Sequence, residues 1–325
     1  MSWHTRLTER LGLKLPILLA PMGGAAGGRL AAAVSNAGGL GLIGGGYGDA
    51  QWLDREFDAA GNTRIGGGFI TWSLARDPGL LDRMLARAPA AVMLSFGDPA
   101  PFAPAIKAAG STLICQVQTI AHTEAALQAG ADIIVAQGAE AGGHGATRAT
   151  LTLVPEVADL LAAQSPDTTL VAAGGIADGR TMAAALMLGA DGVMLGTRLW
   201  AAEECLIHPN HQRAALASNG DATLRVTTPD IARGYDWPSE FTGRVLRTSF
   251  IDRWNGLEAE HRSAAAALRP AYLAAVAEGR SDDAGIFVGE AIGLMTAIEP
   301  AATIMSRLAT DAATLLRHRA SALLA

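Results

Sequence analysis

Residues Thr169 to Thr197, TLVAAGGIADGRTMAAALMLGADGVMLGT, contain one complete βαβ unit. Leu170 to Ala173 and Val193 to Leu195 are apolar runs of strand length, and the alanine-rich stretch from about Asp178 to Leu188 between them reads as a helix. Gly174 and Gly175 follow the first strand, and Gly196 and Thr197 follow the second. Two adjacent strand ends thus offer main-chain N–H groups and one hydroxyl, with no side chain in the way, which is the chemistry of a phosphate cradle. In a parallel α/β barrel the loops after the seventh and eighth strands, backed by a short helix, are the usual phosphate site. A helix beginning near Arg198 would turn its positive end to the anion. Plain βα turn geometry also demands glycine; two such sites on consecutive strands favour phosphate.

The same helix, glycine, strand grammar recurs upstream. Ala109-Gly110 precedes Thr112 to Gln116, Ala129-Gly130 precedes Ile133 to Val135, and LQAGADIIV nearly repeats LMLGADGVM. With Pro16 to Ala20, Leu40 to Ile43, Ile65 to Ile70 and Ala91 to Leu94, the strands number eight. Eight evenly spaced buried strands predict an α/β fold of the TIM (β/α)8 barrel type over 1–202, with a doubly wound sheet as the second choice. From 203 to 284 charged, alanine-rich helical segments (Gln212 to Ala217, Leu257 to Leu268, Tyr272 to Ala277) flank the irregular ARGYDWPSEFTGRVLRTSF, and no buried strand is evident. This reads as a helical insertion after strand eight, packed over the barrel mouth on the substrate side. In 285–325, Gly285 to Ala297 and Ala301 to Leu316 read as amphipathic helices returning to the barrel.

Composition narrows the function. The chain has 325 residues, half of them hydrophobic, and a formal net charge of −6 without a basic run, which argues against nucleic acid and anionic membranes as partners. The 2 cysteines, Cys115 and Cys205, lack neighbours at metal or redox spacing. The N-terminus is charged, and no segment approaches the roughly 20 apolar residues of a span, so a cytoplasmic protein is expected.

Strand ends at the mouth are where a barrel keeps its chemistry. His144 lies there between glycines, in a loop that offers no apolar face to pack on, and an imidazole so placed can exchange protons near neutral pH. Glu140 either orients it or is solvated. Gln116 and Gln137 bring amides to the same rim, to bond a ligand or to satisfy loop backbone. Gly23 to Leu30 lacks the GxGxxG spacing of a dinucleotide fingerprint and reads as backbone approaching a ligand ring. His208 and His211 with Glu204 could ligate a metal, but Pro209 breaks the helix that would align them, so no metal is expected. His4, His122, His261 and His318 read as helix-surface residues.

LLAPMGG (18–24), AVSNAGGLGLIGGG (33–46), AQGAEAGGHG (136–145) and AAGGIADGRTMAAALMLGADGVMLGTR (172–198) together resemble the nitronate monooxygenase family, formerly the 2-nitropropane dioxygenases. The resemblance implies an FMN oxidoreductase that oxidises alkyl nitronates, and also neutral nitroalkanes, with dioxygen to a carbonyl compound and nitrite. It implies that His144 is the catalytic base and that Gly174, Gly175, Gly196 and Thr197 hold the FMN phosphate. Ala20, Pro21 and Met22 would pass main chain beside the ring, with Gly68, Gln116, Gln137, Gly138 and Gly143 completing the cofactor site. The partners are then a small nitro compound and dioxygen, with a homodimer as the expected assembly. Strand three departs from the pattern: Gly66-Gly67-Gly68-Phe69 stands where many relatives carry asparagine, and Trp72 follows. The flavin-dependent enoyl-acyl-carrier-protein reductases share AVSNAGGLGLIGGG and EAGGH, so an NAD(P)H-dependent flavin reductase of that or of the quinone reductase type is the alternative.

Overall fold

The computed structural model describes residues 2–324. Eight parallel strands, β1 (Ile17–Leu19), β2 (Leu42–Gly44), β3 (Gly66–Ile70), β4 (Ala91–Ser95), β5 (Thr112–Val117), β6 (Ile133–Gln137), β8 (Thr169–Ala173) and β9 (Gly192–Leu195), pair in the order β1-β9-β8-β6-β5-β4-β3-β2. A parallel bridge from Leu18 to Leu40 brings the two ends of that order together, giving the TIM-type barrel.

Every strand is buried on both faces, which is why these segments read as continuous apolar runs rather than as alternation. Leu113, Cys115 and Val117 of β5 pack outward against the helical ring, while Ile114 points inward with Leu42, Met93, Val135, Val171 and Met194 to fill the barrel. Leu7 and Leu11 of the helix Arg6–Leu11 join that inner cluster from below. The helix predicted over 178–188 is observed as Gly179–Met187, its N-terminus closed by a capping box between Asp178 and Thr181.

The insertion differs from the sequence-based expectation. It contains two strands, β10 (Thr223–Val226) and β11 (Thr242–Leu246), and these form an antiparallel three-stranded sheet with β7 (Gly143–Gly145) from the barrel's sixth βα loop. Both insertion strands are short and carry arginine between apolar residues, so neither shows the run of a buried strand. Their pairing with β7 depends on contacts remote in the chain. Leu257 to Leu268 and Tyr272 to Ala277 are parts of one helix, Glu258–Glu278, that continues through Pro270. Residues 285 to 297 are not an amphipathic helix: the segment runs extended past the mouth and holds only one 3-10 turn, Glu290–Leu294. Main-chain bonds to the barrel loops take the place of helical ones. His261 is not a surface residue; it is fully buried, stacked on Trp254 at 4.6 Å. No helix among the described residues is long and apolar enough to cross a membrane.

Candidate active site

A cavity of about 420 Å³ opens at the C-terminal mouth of the barrel. Its floor consists of strand ends: Ala20, Pro21 and Met22 after β1, Gly68 in β3, Gln116 in β5, Gln137 in β6, Gly174 and Gly175 after β8, and Gly196 and Thr197 after β9. Its roof comes from the insertion and the loops, with Tyr47, Phe96, Arg233, Trp237 and Phe287. Gly143 and His144 form one wall. Of the residues expected from the sequence, Gly138 does not face the cavity; a Cβ there would lie 2.0 Å from Thr150 Oγ1, behind the wall.

The glycines of the floor are needed for different reasons. Gly174 and Gly175 have φ of 100° and 72°, in the left-handed region where side chains are strained. Gly68 is in ordinary extended backbone, but a Cβ on it would sit 2.5 Å from Pro21 Cγ, so the strand can press against the β1 loop only without a side chain. Gly175 and Thr197 direct main-chain N–H groups with no main-chain acceptor among the described residues. The helix after β9 is a single turn, Thr197–Trp200, and the Thr197 hydroxyl accepts from Gly289 N at 2.9 Å.

His144 is not in an unpacked loop. It lies in β7, opposite Gly243 of β11, and its imidazole stacks on Trp237 with centroids 3.5 Å apart and planes within 5°. Arg225 and Arg244 hold this strand in place. Arg225 donates to the carbonyls of Ala139, Gly145 and Thr242, and Arg244 donates to Ala139 O at 2.9 Å and pairs with Glu290. Burial pushes the Arg225 guanidinium down to about 10, with the neighbouring Arg244 charge adding to the effect.

Glu140 does not orient the imidazole. Its carboxylate accepts from the Thr150 N–H and hydroxyl, closing the start of the helix Thr150–Gln164. Asp230 takes that place: Nε2 of His144 lies 2.7 Å from Asp230 Oδ2, and Asp230 Oδ1 accepts from Arg233 Nη2 at 2.6 Å. The two side chains are 9% and 4% exposed. Burial pushes the imidazole below its ordinary pKa; contact with Asp230 opposes this, and the positive charges of Arg233 and Arg225 reinforce it. Tyr47 stacks on Tyr235 at 3.6 Å and accepts from Trp237 Nε1 at 2.9 Å. Burial raises its pKa to about 12, so the phenol stays protonated.

The rim amides are joined in a chain. Gln116 and Gln118 both donate to Gln137 Oε1, and Gln137 Nε2 donates to His144 O at 3.1 Å, tying β5 and β6 to β7. His208, His211 and Glu204 do not converge. His211 bonds Ser281 and Val276 O, while Glu204 accepts from Ala301 N. Trp72 does not line the cavity; its ring lies 5.3 Å from Trp237 and 6.1 Å from Tyr47 of the roof. Trp237 belongs to the aromatic stretch Tyr235 to Phe241, which the sequence offers as the lining of a substrate entrance or of a subunit interface, and it does line the cavity. Nothing local in the sequence marks Asp230, Tyr47, Arg233 or Phe287 as site residues.

The family description of nitronate monooxygenases matches residues 4–63 and 70–311. A nitronate monooxygenase of Neurospora crassa is 32% identical over an alignment covering 92% of this chain and 89% of that protein. Among solved structures, FabK from Thermotoga maritima superposes with a TM-score of 0.87 at 29% identity, covering 99% of this chain and 100% of that one. A nitroalkane oxidase from Streptomyces ansochromogenes follows with a TM-score of 0.78 at 27% identity, covering 99% and 100%.

Proposed function

The chain belongs to the nitronate monooxygenase family and is an oxidoreductase, and from that premise we propose that it binds FMN and oxidises alkyl nitronates, together with neutral nitroalkanes, using dioxygen to give a carbonyl compound and nitrite. The observation that carries this reading is a buried, neutral-leaning imidazole on the wall of a cavity whose floor ends in bare main-chain N–H groups.

The residues present fit a flat ring with an anionic tail. At the deep end Gly174, Gly175, Gly196 and Thr197 would hold the phosphate through N–H groups and one hydroxyl. Ala20, Pro21, Met22 and Gly68 would let the ring lie close to main chain, and Gln116, whose amide oxygen has no partner among the described residues, would reach the ring edge. FMN supplies the electron transfer that a polypeptide cannot. The remaining chemistry falls to this chain: the aromatic roof excludes water, and His144 accepts the proton that turns a neutral nitroalkane into its nitronate.

Anaerobic mixing tests the proposal. Ethyl nitronate should bleach the flavin quickly and, once air is admitted, yield nitrite; NADH should bleach it slowly or not at all. Rapid bleaching by NADH alone would favour the reductase reading, which rests on the shared AVSNAGGLGLIGGG and EAGGH segments and on the overlay with FabK.

A further inference from the structure

We propose that Nδ1 of His144 is the atom that receives the substrate proton, and that Asp230 is the positioning residue that leaves this nitrogen free, with Arg233 holding Asp230 in turn. The proposal rests on reading the cavity as a nitroalkane and nitronate site.

Asp230 lies in the short helix Thr228–Arg233 and is 2% exposed. A carboxylate so deeply buried persists only if both oxygens are paired. Oδ1 takes a hydrogen from Arg233 Nη2, so Oδ2, 2.7 Å from His144 Nε2, must take one from the imidazole. A neutral imidazole carries a single N–H. With that hydrogen on Nε2, Nδ1 keeps its lone pair, and no protein group among the described residues bonds to it.

A half-turn of the ring about Cβ–Cγ would put Cε1 in place of Nε2 and break the contact with Asp230, and the flat stack on Trp237 opposes that turn. The charged groups felt by the ring are Asp230 and Arg233 from this helix and Arg225 from β10; the Tyr47 phenol lies beyond Trp237. In the step, the Cα–H bond of a neutral nitroalkane breaks, an N–H bond forms at Nδ1, and the electron pair stays on the substrate as the nitronate anion. The imidazolium so formed faces a carboxylate through Nε2–H, which stabilises it as the carboxylate of a His–Asp pair does elsewhere.

Asp230→Asn discriminates positioning from a purely structural ion pair. Arg233 would claim the one amide oxygen, leaving the amide NH2 to donate to Nε2; the ring hydrogen must then move to Nδ1. The measurement is 15N NMR of histidine-labelled protein, with His144 assigned among the 7 histidines by its loss in His144→Asn. Wild type should show the Nε2–H tautomer, and the variant the Nδ1–H tautomer. Turnover of neutral nitroethane should fall on the order of 10³-fold in Asp230→Asn, against less than about tenfold for ethyl nitronate. An Nδ1–H tautomer in wild type, a need for no variant at all, would overturn the proposal. So would an Asp230→Asn protein with unchanged tautomer and unchanged preference between the two substrates. If wild type turns over neither nitro compound, the functional reading fails, while the nitrogen shifts still decide the tautomer.

Discussion

Trp237 lies flat against His144, 3.5 Å between ring centroids, and its indole Nε1 donates to the Tyr47 hydroxyl. One insertion side chain thereby joins His144 to the loop after β2. Trp237→Ala would open one face of the imidazole to water and free the Tyr47 hydroxyl. The expected outcome is a fall of about tenfold in kcat/KM for neutral nitroalkane, at about 1.4 kcal/mol per factor of ten, together with an upward movement of the acid limb of the pH profile. Steady-state kinetics across pH would reveal both, and a variant with wild-type values would remove Trp237 from the site's chemistry.

His144→Asn should retain the flavin spectrum, because the residues proposed to hold the phosphate and the ring line the barrel floor. Turnover of neutral nitroalkanes should drop by about 10²–10⁴-fold, the range for loss of a positioned base. Anionic nitronates need no deprotonation and should suffer far less. Equal losses on both forms would rule out the base role.

The depressed imidazole pKa has a definite sign. Burial disfavours the charged ring, so the base stays unprotonated to lower pH than a free histidine, whose pKa is about 6.5. The acid limb of kcat/KM for neutral nitroalkane should therefore have its midpoint below about 6.5. Stability follows the same linkage: the unfolded chain binds the proton more readily, so this contribution is present above about 6.5 and is lost as pH falls through the native value. Denaturant titrations at several pH values should show a smaller acid loss in His144→Asn than in wild type.

Gly174→Ala places a Cβ 2.9 Å from Gly138 O and from Thr150 Oγ1, at a φ of 100°. Backbone strain of this kind costs on the order of 1–3 kcal/mol. Because the strain falls on the turn proposed to hold the phosphate, FMN should bind more weakly, and its advantage over riboflavin should shrink. Fluorescence titration with both flavins measures this; an unchanged ratio would move the phosphate away from Gly174.

Met93→Ala tests the barrel interior. Met93 is fully buried between strands, and such truncations cost about 2–5 kcal/mol. Chemical denaturation should show a lower midpoint with an unchanged slope.

The barrel was legible because each of its units is local. A helix, a glycine and a doubly buried strand recur within short stretches, and Leu170 to Ala173 appears as β8 with hardly a residue moved. The glycines at 174, 175 and 196 were legible for the same reason, since turn conformation and bare N–H groups belong to consecutive residues. The insertion strands were not. β10 and β11 are four and five residues long, and Arg225 and Arg244 interrupt their apolar pattern to serve carbonyls of a distant loop. The stretch after Gly285 misled because its apolar spacing suits a helix. Its N–H groups instead find partners across the mouth: Gly289 bonds Thr197, and Glu290 bonds Glu140 O.

By itself the amino-acid sequence determined the barrel, the glycines at its strand ends and the presence of an imidazole at the mouth, because these depend on neighbours along the chain. Only the tertiary structure decided that Asp230 rather than Glu140 faces that imidazole, that Trp237 covers it and that Arg233 pairs with the carboxylate behind it. Those contacts depend on distance through space between the sixth βα loop and the insertion, and no local pattern of residues encodes that distance.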